Sequence, residues 1–330
     1  MIIAIVGPTA TGKSDLALDL AEALTAAEIV NADAYQRYRG MDVGTAKVPP
    51  AQRRGIPHHQ LDVLDPHADS TVAEYQAGAR ADLAAIAGRE HRAIVVGGSG
   101  LYVKALLDHM DFPGTDPAIR SRLEARVVAE GRLALHAELA RRDPEASARI
   151  DPHNARRIVR ALEVIELTGR PFTAYLPREE YVRPTIQIGL DCSRDLLDRR
   201  VTARVDQMFA AGLVEEVRAL ASPVQGGTGA GLGATAARAV GYAETLRHLA
   251  GEVTADEARE HIVFNTRRLA RKQMGWFGRD ARVHWLQAED PNLLEQALAL
   301  VTAAHATAAL EDAALGRTRR PLGSPSPGRP

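Results

Sequence analysis

The stretch GPTATGKS at residues 7–14 lies directly behind the apolar run IIAIV and has the residue types of a phosphate cradle. Gly7 and Gly12 let the backbone curl so that successive N–H groups face one anion, with Pro8, Thr9, Ala10 and Thr11 forming the curl between them. Lys13 sets an ammonium against the terminal phosphate, and Ser14 offers a hydroxyl to Mg2+. The helix expected to begin there adds the positive end of its dipole. The plain alternative is a glycine-rich turn with an incidental Lys-Ser. Strand, loop and helix nevertheless follow in the order that a cradle requires.

A nucleotide hydrolase also carries an Asp at the end of a second apolar strand, where it helps to hold Mg2+. The natural candidate, AIVVGGSG, ends in glycines; the acidic strand end is Asp33, in EIVNADAYQRY. Asp33 either serves the metal, acts as a general base toward an incoming nucleophile, or caps a helix with Gln36 completing a capping box. In GGSGLY, at 97–102, the glycines permit close backbone approach and Ser99 offers a hydroxyl where a phosphate oxygen would sit. GIPHHQLDV, at 55–63, holds a histidine pair, but adjacent side chains diverge and make a poor metal pincer, so no metal site is expected there.

Two helical stretches carry stacked cations. In NTRRLARKQMGWFGR, Arg267 and Arg271 are four residues apart, as are Arg268 and Lys272. In DPHNARRIVRALEV, Arg156 and Arg160 repeat that spacing while Ile158, Leu162 and Ile165 face inward. A charge run is ordinarily a solvated face. Two such helices in a chain of net charge −1 point toward a polyanion of RNA size.

These residues need a scaffold. Runs at 2–6, 28–33, 93–98 and 185–191 read as buried parallel strands with amphipathic helices between them, the pattern of a doubly wound α/β sheet. Ligands collect at the carboxyl ends of such strands, so the loops after the first three are expected to meet in one site. Residues 116–184 carry no strand pattern and read as an all-helical insertion. Asp116–Pro117 starts one helix with Ile119, Leu123 and Val127 on one face, a second follows Gly131 with Leu135 and Leu139 inward, and a third runs from Asp151–Pro152 to Gly169. Helices are then expected over 194–221, 234–250 and 255–277, with a flexible glycine-rich loop at 222–233. No strand precedes that loop, so it is not read as a dinucleotide site. The expected division is a core of 1–115 and 185–315, an insertion domain of 116–184, and a disordered Pro/Gly/Ser-rich tail at 316–330.

A chain of 330 residues with one cysteine, Cys192, has no disulfide framework and no cysteine-built zinc site. The N-terminal apolar run is too short for a signal-peptide core, and no segment is apolar enough to span a bilayer. A cytoplasmic protein that does not engage membranes is expected.

Taken together, GPTATGKS, DAYQRYRGMDVGTAKV, GIPHHQLDV, GGSGLYVKAL, IDPHNARRIVRALEV, AGLVEEVRAL, RAVGYAE and TRRLARKQMGWF resemble, in order and spacing, the bacterial tRNA dimethylallyltransferases. The resemblance covers roughly residues 3 to 290. It implies a P-loop NTPase-like parallel sheet flanked by helices with an all-helical insertion, acting as a monomer. It implies dimethylallyl diphosphate as donor, with Mg2+, and the adenosine just 3′ of the anticodon of a tRNA as acceptor. The cradle, residues 7 to 14, would then hold a diphosphate together with Arg218. Asp33 would be the general base, with Lys13 and Ser99 beside it in the chemistry. Asp33, Ala34, Tyr35, Gln36, Ser99, Arg120, Arg156, Arg160, Arg238, Tyr242, Arg267 and Arg271 would touch the RNA. The family commonly has Ser at position 34 and Thr at 99, where this chain has Ala34 and Ser99. The rival readings are an isopentenyltransferase acting on free adenine nucleotides, a small-molecule P-loop kinase, and a non-catalytic RNA-binding ATPase.

Overall fold

The chain is described here from a computed structural model over residues 1–176, 178–222 and 231–306. Short Ile/Val runs become strands because branched side chains pack well on a sheet buried on both faces. The first, β1 (Ile2–Val6), is buried at every position and feeds through the glycine-rich loop into α1 (Lys13–Leu24). Then follow β2 (Ala27–Asn31), the two-residue β3 (His58–His59), α2 (Val72–Gly88), β4 (Arg92–Val96) and α3 (Gly100–Leu107). A capping box starts α2: Thr71 accepts from the Glu74 N–H, and the Glu74 carboxylate accepts from the Thr71 N–H.

Chain contacts divide the molecule into one unit made of Met1–Leu107 with the chain from Arg183 onward, and a second unit, Asp108–Val182. The second unit holds α4 (Pro117–Glu130), α5 (Arg132–Arg142), α6 (Pro144–Arg149) and α7 (Ala155–Thr168). Leu123, Leu135, Leu139, Ile158 and Leu162 form its core, with Ile119 and Val127 packed against it. Asp116 caps α4 by accepting from the N–H groups of Ala118 and Ile119. The α7 helix begins later than the sequence suggested: Asn154, not Asp151, supplies the cap, accepting from the Arg157 N–H. It ends as expected at Gly169, in the left-handed region with φ 68°.

The first unit resumes with β5 (Thr185–Asp191), α8 (Arg194–Ala210), α9 (Leu213–Ala221), α10 (Tyr242–Leu249), α11 (Ala255–Phe277), β6 (Val283–Gln287) and α12 (Leu293–Ala306). The helix expected over 194–221 is broken by Gly212, with φ 92°. The one expected from 234 starts only at Tyr242, after a short 3-10 turn at Ala236–Arg238. Most of the glycine-rich loop at 222–233 and the whole tail at 316–330 lie outside the described residues.

Among the described residues the sheet has six strands in the order β3-β2-β4-β1-β5-β6, every pair parallel. Ile3 stands opposite Ile94 on one side and Ile186 on the other, and all three are buried in the core beneath α1 and α12. The sheet order has a functional consequence. Because β2, β4 and β1 are neighbours, the loops after Asn31, Val96 and Val6 emerge side by side at one sheet edge. No helix of the described residues is long and apolar enough to cross a membrane.

Candidate active site

The loop after β1 is held open by its own backbone. Gly7 has φ 129°, and a Cβ there would lie 2.6 Å from the Leu190 carbonyl oxygen of β5. Only glycine lets the chain turn so close to the neighbouring strand. Ala10 (φ 66°) and Gly12 (φ 87°) continue the left-handed path, Ala10 at the strain cost that a Cβ brings there. The Pro8 carbonyl accepts from Thr11 Oγ1 at 2.9 Å and from Lys13 Nζ at 2.5 Å. Burial, and then the charge of Arg204, pushes the Lys13 ammonium down to about 7, while Asp33 and Cys192 act in the opposite direction.

Asp33 leaves the sheet two residues after β2 ends. Its Oδ1 accepts from the N–H groups of Tyr35 (2.9 Å) and Gln36 (3.4 Å). This is an Asx-type turn and not a helix cap, since no helix follows; the Gln36 amide instead donates to the carbonyls of Thr45 and Ala46. Among the described residues nothing donates to Oδ2. Burial raises the Asp33 pKa, opposed by the two backbone hydrogen bonds and by Lys13. The Asn31 amide fixes the aspartate's backbone from both sides, accepting from the Asp33 N–H and donating to the Asp33 carbonyl, each at 3.0 Å.

Gly97 of the third loop stands where a Cβ would come 2.3 Å from the Ala32 carbonyl oxygen, so the third loop and the Asp33 loop touch through bare backbone. Ser99 Oγ accepts from the Ala34 N–H at 3.3 Å, so this hydroxyl joins the two loops.

A cavity of about 690 Å³ opens over these elements. Its wall includes Thr9, Ala10, Gly12, Lys13 and Ser14 of the first loop, then Asp33 and Gln36, and Gly97 and Gly98. Of the wall residues that sequence reasoning missed, two also hold the first loop. Arg204 of α8 reaches Thr9 Oγ1 at 3.4 Å, and Gln273 of α11 accepts from the Thr9 N–H at 2.8 Å. For Arg204 a signal existed, since Arg200 and Arg204 have the four-residue spacing used elsewhere. Gln273 carries no such mark in the sequence.

Several expected contacts fall elsewhere. Arg218 is not on this wall; its side chain is 58% exposed and lies 3.7 Å from Glu215. Tyr242 is fully buried and its hydroxyl donates to Glu216, which leaves the ring no surface to offer a ligand. Arg238 is exposed in the 3-10 turn, while Tyr35 is half-buried. In the helical unit, Arg160 donates to the buried Glu163 (3.0 Å) and to the carbonyls of Pro113 and Gly114. Arg120 donates to the same carboxylate at 2.8 Å, while Arg156 is exposed. On α11, Arg267 pairs with Asp198 at 3.2 Å, and Arg268, Arg271 and Lys272 are exposed.

A parallel sheet with a phosphate-type loop after its central strand and a half-buried carboxylate on the same cavity wall defines an α/β protein of the P-loop class, built for group transfer from a polyphosphate. A family model for IPP transferases matches residues 36–280, and the chain belongs to that family. It is 56% identical over 306 residues to the tRNA dimethylallyltransferase of Thermobifida fusca, covering 91% of this chain and 94% of the relative. Against the tRNA dimethylallyltransferase of a Nocardioides species it is 55% identical over 303 residues, covering 92% and 96%. The crystal structure of the full-length tRNA isopentenylpyrophosphate transferase of Bacillus halodurans is similar at a TM-score of 0.68 and 36% identity, covering 94% of this chain and 98% of that one.

Proposed function

We propose that this chain is a tRNA dimethylallyltransferase that moves a dimethylallyl group from dimethylallyl diphosphate to N6 of the adenosine 3′-adjacent to the anticodon. The observation that carries the reading is the convergence of a phosphate cradle and the half-buried Asp33 on one cavity, with no strand-end acid of the kind a nucleotide hydrolase uses on β4. The reaction forms the N6–C1 bond and breaks the allylic C1–O bond, and diphosphate leaves with the electron pair. Lys13 and the loop amides stabilise the charge that develops on the leaving group. Asp33 takes the N6 proton on Oδ2, while Oδ1 keeps the carboxylate oriented through the Tyr35 and Gln36 amides. Ser99 acts through the Ala34 N–H, fixing the turn that carries the base.

The Ser14 hydroxyl, together with the oxygens of a diphosphate, forms the hard-oxygen donor set that suits Mg2+. Among the described residues no group of three or more His, Cys, Asp or Glu would cage a metal by protein alone. Mg2+, when bound, supplies charge neutralisation at the leaving diphosphate. For the acceptor, a loop adenosine costs less to turn out of its stack than a paired one. The exposed cations of α11 are the surface we assign to RNA phosphates. The helical unit is proposed as a second RNA-binding part, with Arg156 among its exposed cations.

The test is mass analysis of an anticodon stem-loop RNA after incubation with enzyme, dimethylallyl diphosphate and Mg2+. One dimethylallyl group on the target adenosine is expected. Transfer to free AMP in preference to the stem-loop would favour the adenine-nucleotide enzyme, and rapid ATP hydrolysis would sink the donor assignment.

A further inference from the structure

Residues 42–48 contribute much of the cavity wall yet belong to no helix or strand. The apolar part of that wall includes Val43 and Val48 of this segment, Leu61, and Met208 and Ala211 at the end of α8, beside Ile29 of β2 and Val96 of β4. An irregular segment needs side chains to fix its backbone. Here Lys47, itself buried, donates to the Tyr38 carbonyl at 2.8 Å and to the carboxylates of Asp42 and Asp62, each at 2.6 Å. The other end is fixed from outside the cavity.

Glu216 of α9 is not on the wall. Its Oε2 accepts from the N–H groups of Asp42 (3.0 Å) and Val43 (2.7 Å), and its Oε1 from the Gly44 N–H (3.1 Å) and the Tyr242 hydroxyl. Three successive backbone amides around one anion form a nest. The Tyr242 ring closes it, lying so near Gly44 that a Cβ there would come within 2.5 Å of the ring. Only an ionised carboxylate accepts all four donors. A glutamine would turn an NH2 toward one side; the Tyr242 hydroxyl can rotate to accept from it, but the Gly44 N–H cannot.

We infer that Glu216 is a specificity-determining positioning residue, which by fixing the 42–44 turn sets where Val43 stands and so how wide an alkyl group the donor cavity admits. The inference rests on the donor reading above. A clamp that served stability alone would alter unfolding and leave substrate selection untouched. A clamp that positions the wall alters selection between donors that share a diphosphate and differ in alkyl length.

The experiment compares wild type, Glu216→Gln and Glu216→Ala with dimethylallyl and geranyl diphosphate at saturating stem-loop RNA, alongside thermal melts. Glu216→Ala should raise KM for dimethylallyl diphosphate about tenfold and shift the kcat/KM ratio about tenfold toward geranyl diphosphate, the scale set by a methylene-sized change in an apolar pocket. Glu216→Gln, keeping part of the nest, should fall between. A lower Tm with donor KM and alkyl ratio at wild-type values overturns the inference. If Glu216→Ala does not fold, Tyr242→Phe carries the test, because it removes one of the four donors and keeps the ring; a smaller shift in the same direction is expected, and an unmoved ratio overturns the inference. Wild-type enzyme that transfers no dimethylallyl group would sink the donor reading instead, which is a distinct result.

Discussion

Asp33 and Lys13 are two ionisable groups whose surroundings move their protons in useful directions. Burial raises the Asp33 carboxyl, which brings a base nearer neutral pH, where proton transfer is most effective. Asp33→Asn keeps the Oδ1 acceptor for the turn but cannot take a proton. Single-turnover rates should fall by about 10²–10⁴ with both substrates still bound, and added magnesium should not restore them. An active Asn variant would reduce Asp33 to a turn-forming residue, and rescue by magnesium would make it a metal ligand. Lys13 has the opposite sign. With its pKa lowered to about 7, the folded cradle releases a proton that the unfolded chain keeps up to the ordinary lysine value. The unfolded state therefore binds more protons above about pH 7, and the empty protein should gain stability as pH rises through that window. An anion in the cradle restores the charge. Calorimetry of diphosphate binding at pH 8, in buffers of different ionisation enthalpy, should show uptake of up to about one proton, and none at pH 5.5. Equal proton uptake at both values would mean that Lys13 is already charged in the empty site.

At the scale of elements, α11 gathers the site. Its Gln273 holds the Thr9 N–H, a Cβ on Gly98 would meet the same amide at 2.4 Å, and one on Gly100 would meet Trp276 at 2.0 Å. One helix therefore touches both the cradle and the loop after β4. Gln273→Leu keeps volume and leaves the Thr9 N–H without its acceptor. We expect about 1–3 kcal/mol lower stability in denaturant titrations, together with weaker diphosphate binding. Diphosphate affinity at the wild-type level would mean that the helix merely packs against the loop. Sequence reasoning located the three loops because strand-ending glycines and acids follow apolar runs, a local signal. The strand ends were read two residues too late at Asn31 and Val96, since Asp33 and Gly97 already belong to the turns. β3 escaped because two histidines have no strand pattern, and β6 because VHWLQ is neither a continuous apolar run nor an alternating one, its buried Val283 and Leu286 being three residues apart. Gln273 and Glu216 were illegible for a different reason. Each acts on a residue more than 170 positions away, and nothing in a local window marks such a partner.

At the scale of the whole molecule, 41 basic and 42 acidic residues nearly cancel, so RNA must be met by cations that the fold leaves unspent. The sequence places Arg156/Arg160 and Arg267/Arg271 in the same four-residue spacing, and the fold treats the members of each pair differently. Arg160 and Arg267 are turned to internal acceptors, while Arg156 and Arg271 are exposed. The reason lies in the partners. Glu163 has a side chain that is 0% exposed and needs two arginines and the Asp116 N–H to stay ionised. Burial opposes that ionisation, yet those hydrogen bonds hold its pKa below the ordinary value. The stability it contributes is therefore present above the unfolded carboxyl's pKa and is lost as pH falls through the folded one. Arg160→Ala should accordingly destabilise the protein by about 1–3 kcal/mol at neutral pH, with the deficit shrinking on acidification, and change the salt dependence of RNA binding little. Arg271→Ala should leave the melt unchanged, weaken stem-loop binding, and lower the slope of log K against log salt by roughly 0.7–0.9. Melting curves and a salt titration on the two variants separate these outcomes. Should Arg160→Ala flatten the salt slope while Arg271→Ala does not, the RNA surface would have to move from the exposed cations of α11 to the helical unit.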